Sequence, residues 1–470
     1  MEFALNTVKR HELQELEDCI GGQVIPADHA DYDVRRRVWN RVHDRYPAVI
    51  VAVQSVRDVV AAVRFARDRS LPLAVRGGGH HSAGLGTCDH GVVIDMAAMR
   101  SVCVDPKSNV ATVQGGALAV DVIRATQAYG LAVPTGNLGQ VGMAGLTLGG
   151  GMGYLRRQYG LTCDSLLEAE LVLADGSVVR VSPDEHQDLY WAVRGGGGNF
   201  GIATELRFQL YPIGPTVVGI HTMYRLDDLE AVLKGCRDYL NDVGPEVSFN
   251  LTMMPIPPGP HVPSELVGQW VVAITGMHCG RDIGQAAHAV KPLQALAEPL
   301  LDATGPISYV DLHSIIDAML PPEHRGYTES TYVKEFSDGL IAHMAEVIRS
   351  AGPGQVFMFW PLGGRMAETA SDATAFGDRK AAGLAIIESV WREPDEAPDQ
   401  IAWVRQVALG LTEHAYSGGT YLNLAETDGD VARLVRQSCA DHFTRLRTLK
   451  QQYDPANLFR HNLNIDPEEG

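Results

Sequence analysis

The chain has 470 residues, 45% of them apolar and 20% charged, which excludes a disordered or fibrous protein and allows two domains with two sizeable cores. Against 39 basic residues stand 57 acidic ones, and the formal net charge of −18 repels polyanions and argues against nucleic acid as a partner. Seven cysteines are scattered, odd in number and never spaced as a zinc or redox pair, so no metal site is expected and they read as free thiols of a reducing cytoplasm.

In chain order, MEFALNTVKRHELQELEDCI is charged and helical in pattern, without the apolar core of a signal peptide. The triplet RRR at 35–37 reads as a solvated helix face. PAVIVAVQ (47–54) predicts a buried strand, and SVRDVVAAVRFARDRSL (55–71) a helix capped by Ser55. PLAVR is a second strand leading into glycines, so the text is β-α-β. GVVIDMAAM and NVATVQGGA read as strands, and LAVDVIRATQAYG as a helix ending at glycine. In 136–160 the glycines are too dense for a regular helix or strand interior. DSLLEAELVLADGSVVRVS predicts a hairpin turning at Asp-Gly. From about 213 the glycine clusters thin out, and Pro-rich loops (MPIPPGP, LPPEH) separate amphipathic helices from alternating strands, as in an α+β domain. VARLVRQSCADHFTRLRTLKQQYD reads as one helix near the end. The predicted division is therefore 1–212, 213–424 and a C-terminal return over 425–470. No apolar run approaches the ~20 residues of a membrane span.

Four glycine-rich segments lie in the first 200 residues: RGGGHHSAG, TGNLGQVGMAG, LGGGMG and RGGGGNFG. Consecutive glycines let backbone N–H groups approach phosphate oxygens with no Cβ in the way. Four such loops point to a large phosphorylated cofactor in extended form. The first lacks a P-loop lysine, and no G-x-G-x-x-G opens the first helix, so an ordinary dinucleotide-binding dehydrogenase is a poor fit.

VRGGGHHSAG, GLTLGGGMGYLRRQYGLTCDSL, DLYWAVRGGGGNFGIATE and the terminal YDPANLFRHNLNI resemble, in order and spacing, the berberine-bridge-enzyme-like branch of the vanillyl-alcohol-oxidase flavoproteins. The resemblance implies an α+β architecture: a two-subdomain PCMH-type FAD-binding domain and an α+β substrate domain with an antiparallel sheet. It implies FAD bonded through His80, whose imidazole nitrogen is a competent nucleophile near neutral pH. His81 is a solvated or pyrophosphate-side neighbour, not a catalyst. Leu138 stands where many relatives carry a second, cysteinyl tether, so no cysteinyl bond is expected. Val141 matches a site linked to oxygen access, and is equally readable as core. Arg76, Gly77, Gly78, Gly79, Ser82 and Gly84 are implied at the pyrophosphate. Thr135, Gly136, Gly142, Gly145, Gly149 and Gly150 are implied at the ring and ribitol. Ile202 is implied at the adenine end through its backbone, and Asn462 and Asn464 beside the ring.

The family's usual base falls here on Ile386 or Ile387, in GLAIIESVW. Glu388 is adjacent but alternates to the side opposite Ile387. Tyr421 matches the first tyrosine of a Y-x-N-Y segment whose second is Leu424. Glu329 stands where a lysine is usual, as a base or an attractor of a cationic amine. Tyr154, Tyr327 and Trp360 are candidate pocket walls. The implied function is oxidation of an amine or alcohol carbon of a small molecule, hydride passing to flavin N5 and then to O2. Rival readings are a natural-product oxidase or oxidative cyclase, a dehydrogenase with another acceptor, and a flavin-loaded protein without turnover. The expected partners are the small-molecule substrate and O2, with no nucleic acid and no membrane, in a cytoplasmic monomer or homodimer.

Overall fold

The computed structural model describes residues 8–258, 262–318 and 323–468. The two Pro-rich loops and the first seven residues fall partly or wholly outside them.

The first sheet runs Gln23–Pro26, Val49–Ala52, Val92–Asp95, Leu73–Arg76 in spatial order, the last three strands parallel. Its central strand is buried at every position, as a parallel strand covered on both faces must be. The helix Val56–Asp68 packs Val59, Ala62, Val63 and Ala66 into this core. Its predicted cap is present: the Ser55 hydroxyl accepts the N–H of Asp58. A second sheet, antiparallel, orders Val102–Asp105, Val110–Gln114, Ile202–Gln209, Leu166–Val172 and Val178–Val181. The predicted hairpin turns at Asp175-Gly176, with Gly176 at φ +80.

The third sheet is antiparallel and larger. Gly383–Val390 lies between Gln355–Pro361 and Gly326–Val333, and Val247–Pro255, Trp270–His278 and Thr216–Arg225 follow outward from Gln355–Pro361. One face is covered by the helices Leu229–Asp242, Ile283–Gln294, Asp338–Arg349 and Ala397–Gly410, and buries Phe249, Leu251, Phe357, Phe359, Ala385 and Ile387 with them. The other face presents Tyr332, Met358, Trp360, Leu384 and Ile386 to Met152, Leu161 and Cys163 of the glycine-rich segment. The two-residue period of a strand thus sorts side chains into a structural layer and a layer facing the first 212 residues.

Two local expectations are corrected. Residues 136–160 do contain helices, Met143–Leu148, with a single glycine at 145, and Arg156–Tyr159, with none, so most of the glycines lie in the turns between them. The single C-terminal helix is two, Val431–Cys439 and Phe443–Tyr453, broken where Ala440 takes φ +44. Among the described residues no helix is long and apolar enough to cross a membrane, and no cluster of metal-ligating side chains occurs.

Candidate active site

The strand Leu73–Arg76 ends by launching the histidine loop, and its end is pinned. Asp95, fully buried on the neighbouring strand, takes the Arg76 guanidinium at 2.5 and 3.2 Å and Arg35 at 2.9 Å. The Arg76 side chain is therefore committed to Asp95, and only its backbone is left for the expected pyrophosphate cradle. RRR is no uniform solvated face either, since Arg36 is buried against Asp33 and Asp44.

Beyond Arg76 the glycines have two uses. Gly79 and Gly84 take φ +65 and +63, which only glycine enters freely. Gly78 and Gly142 instead let two loops touch: a Cβ on either would stand 2.4 Å from a backbone nitrogen of the other. Gly78→Ala is expected to lower stability by about 1–3 kcal/mol and to weaken FAD retention, read as a lower melting temperature and a smaller flavin-to-protein absorbance ratio.

His80 is half-buried, and its Nε2 is shielded with no hydrogen-bond partner among the described residues. Burial pushes its pKa down to about 4, so the ring is neutral and keeps a nucleophilic lone pair at pH 7. His81 differs. Its Nδ1 accepts the Ala83 N–H at 3.2 Å and its Nε2 lies 3.1 Å from the Leu422 carbonyl. Both nitrogens are used within the protein, which corrects the reading of His81 as a solvated or pyrophosphate-side group.

The segment Trp39–His43 straps this loop to the third sheet. The Trp39 N–H donates to Gly79 O at 3.0 Å, and the Asn40 amide donates to Ser82 O at 2.8 Å and Gly326 O at 2.9 Å. The Trp39 ring lies between His80 (centroids 4.2 Å apart, planes at 18°) and His324 (3.7 Å, 15°). His324 Nε2 stands 3.6 Å from Glu388 Oε1.

Glu388 shares its strand face with Ile386 and Leu384, toward the glycine-rich segment, while Ile387 points into the helix-covered core. Its alternation away from Ile387 is thus what brings it to the site. Burial raises its pKa to about 7. Glu426, missed in the sequence, accepts the Thr328 N–H at 3.3 Å and is raised to about 8, first by burial and then by the carboxylates Asp428, Glu329 and Glu388. Trp360 and Tyr332 stand on the same face.

Other candidates are not brought together. Tyr327 and Glu329 share the opposite face, where Tyr327 donates to Asp428 at 3.0 Å and, 3.4 Å away, to Glu329, under Arg405 of the helix Ala397–Gly410. Neither walls the pocket or serves as its base. The Tyr421 hydroxyl accepts N–H groups of Met152 (3.2 Å) and Asn423 (3.0 Å), and burial lifts it to about 12. It is a protonated structural tie, not a base. Tyr154 is 3% exposed, beside His313 and inside the core. A Cβ on Gly149 or Gly150 would meet Asn423 or Phe376, so these two glycines are required by close packing. Ile202 is a core residue on a strand paired with Val172, and Val141 packs at the edge of the main core.

The remaining features suit a large ligand. A Cβ on Gly145 would meet nothing within 4 Å, and one on Gly136 only Leu146 at 3.6 Å. Asn137, Asn462 and Asn464 each bury an amide oxygen without a partner among the described residues, and Thr135, two residues before Asn137, is buried with its hydroxyl donating to the Gly136 carbonyl. With the orphaned His80 nitrogen, these open glycines and unmet acceptors are what a bound isoalloxazine with N–H groups requires, so the residues fit FAD.

Glycine loops over a mixed sheet, a nucleophilic histidine and a facing antiparallel sheet define a flavin-binding protein. Residues 47–182 match the FAD-binding domain family and residues 420–466 the berberine and berberine-like family. The chain is 31% identical to (R)-6-hydroxynicotine oxidase of Paenarthrobacter nicotinovorans, over 96% of this chain and 97% of that one. It is 30% identical to an FAD-linked oxidoreductase of Bacillus subtilis, over 95% and 97%. The crystal structure of 6-hydroxy-D-nicotine oxidase from Arthrobacter nicotinovorans superposes with a TM-score of 0.85 at 26% identity, over 96% of this chain and 98% of that one. This chain belongs to the berberine-bridge-enzyme-like family of FAD-linked oxidoreductases and is an oxidoreductase.

Proposed function

We propose that the protein is an oxidase in which a small organic molecule gives up a hydride from an amine or alcohol carbon and a proton to Glu388, with FAD tethered through His80 alone and O2 as the final acceptor. The observation that carries this reading is Glu388. It is an acid tuned to about 7, on the sheet face that meets the glycine loops and 3.6 Å from a histidine stacked toward His80. Bound FAD would supply the hydride acceptor. The chain supplies the rest. Glu388 takes the N–H or O–H proton, and a pKa near the working pH suits that task. Trp360, only partly buried on that face, gives the substrate an apolar, aromatic surface. The pair of carboxyl groups, Glu388 and Glu426, favours a positively charged amine over an anionic substrate. Val141 stands in the loop implied in oxygen access, and Leu138 offers no sulfur for a second bond.

Two measurements test the reading. In the denatured protein the mass of one FAD is expected on the His80 peptide and on no other. Anaerobic mixing with a panel of small amines and alcohols is expected to bleach the flavin band, and air to restore it with release of hydrogen peroxide. Bleaching without reoxidation by O2 would mark a dehydrogenase. No bleaching by any amine or alcohol would remove the substrate class.

A further inference from the structure

We propose that Trp39 and His324 are positioning residues that clamp the His80 imidazole for its bond to the flavin. The proposal rests on the reading of His80 as the tether.

The need for a clamp comes from the loop. His80 follows three glycines, one at positive φ, and its Nε2 has no partner to orient the ring. A histidine so placed rotates about two side-chain torsions, and a nucleophile that turns loses alignment with its target. The structure removes that freedom by stacking. Trp39 lies nearly parallel to His80, at 4.2 Å and 18°, and His324 lies nearly parallel to the other face of Trp39, at 3.7 Å and 15°. Each plate of the stack is itself fixed. Trp39 donates its N–H to Gly79 O, beside the histidine it braces. The Arg41 N–H donates to His324 O at 2.7 Å. Asn40, 1% exposed, bonds the histidine loop at Ser82 O and the strand entry at Gly326 through both N–H and C=O. The rings are therefore held in one register by backbone on both sides.

The chemistry requires an uncharged ring. Burial lowers both His80 and His324, to about 4 and about 3, and His80 further disfavours charge on His324 across Trp39. In the net attachment one C–H bond of the flavin methyl group and one imidazole N–H bond break and one C–N bond forms. Two electrons and two protons leave to dioxygen as hydrogen peroxide. None of this asks Trp39 or His324 to exchange a bond; their part is geometry.

The test compares full-length wild type with Trp39→Leu, Trp39→Phe and His324→Gln, each incubated with FAD and sampled over time. The readouts are the denatured mass of the His80 peptide and the thermal melt of each variant. Trp39→Leu and His324→Gln are expected to attach FAD roughly 10²-fold more slowly while still binding it reversibly, and Trp39→Phe, which keeps an aromatic plate, to recover most of the rate. Attachment at the wild-type rate in Trp39→Leu and His324→Gln overturns the clamp. If Trp39→Leu fails to fold, His324→Gln carries the same expectation and the same power to overturn it. An unmodified His80 in wild type overturns the tether reading instead, and the clamp with it.

Discussion

Glu388→Gln is expected to slow flavin reduction by an amine or alcohol roughly 10²–10⁴-fold while the protein still carries FAD. The amide keeps the size of the carboxyl group and removes its capacity to take a proton. Wild type should show the acid's titration directly. The base acts as its carboxylate, so the reduction rate rises with pH up to about 7 and is level above it, and the variant's profile is flat through that range. Rapid-mixing measurements of flavin reduction from pH 5 to pH 9 on both proteins read this out. A variant that keeps both the rate and the inflection near 7 would assign the proton to another group, with Glu426 the first to replace.

The same substitution should stabilise the fold at alkaline pH. Burial raises Glu388 from its ordinary 4.5 to about 7, so the folded protein holds the proton where the unfolded chain has lost it. Its contribution to stability is full below about 4.5 and is lost as pH rises through about 7. At pH 8 wild type therefore bears a buried charge that the variant lacks. Glu388→Gln is expected to gain on the order of 2 kcal/mol there, and to match wild type near pH 4. A site that needs a carboxylate on a half-buried sheet face is paid for in stability, and melting curves at the two pH values separate that cost from the catalytic gain.

What the sequence shows of this site follows the kind of constraint each residue meets. His80 is legible because it follows glycines that backbone geometry requires and that leave a mark in the text, and because the resemblance places the proposed tether there. Glu388 is legible as a residue but not as a direction. Alternation fixes it opposite Ile387, yet which side of the sheet carries helices is decided by elements far along the chain. Glu329 and Tyr327 fail for the same reason: their period is right and their face is the helix-covered one. Trp39, Asn40 and His324 leave no local signal at all. Asn40 and Gly326 are 286 residues apart, and a stretch of arginines conceals the strap as a solvated helix. The only hint in the text is Trp39 beside an asparagine in so basic a run.

Lys450→Met is expected to be the most destabilising single change outside the cores, by about 3–5 kcal/mol, because it leaves a buried carboxylate without its cation. Lys450 and Asp454 are both fully buried, one helical turn apart, with Nζ 2.6 Å from Oδ2. The same ammonium donates to the carbonyls of Asn199 at 2.9 Å and Phe459 at 3.1 Å. Asp454 in turn accepts the N–H groups of Leu458 and Phe459. This pair is the physical content of the motif YDPANLFRHNLNI, which resemblance marked and local pattern did not explain. It ends the last helix, turns the chain, and ties the turn to Asn199, whose side chain bonds Leu463 O and the Ile465 N–H. Asn462 and Asn464, with their unmet amide oxygens, hang from that turn. The loss should therefore appear twice: as a fall in melting temperature, and as FAD that is reversibly bound less tightly in a His80→Ala background, where no tether hides the effect. Lys450→Met that melts with wild type would show the turn is held by its apolar contacts at Leu458 and Phe459. Asp454→Asn tests the same turn from the other side: its single amide oxygen can replace only one of the two carboxylate oxygens that accept the Leu458 and Phe459 N–H groups, its NH2 accepts neither, and the charge that the ammonium was placed to meet is gone, so it too is expected to melt below wild type.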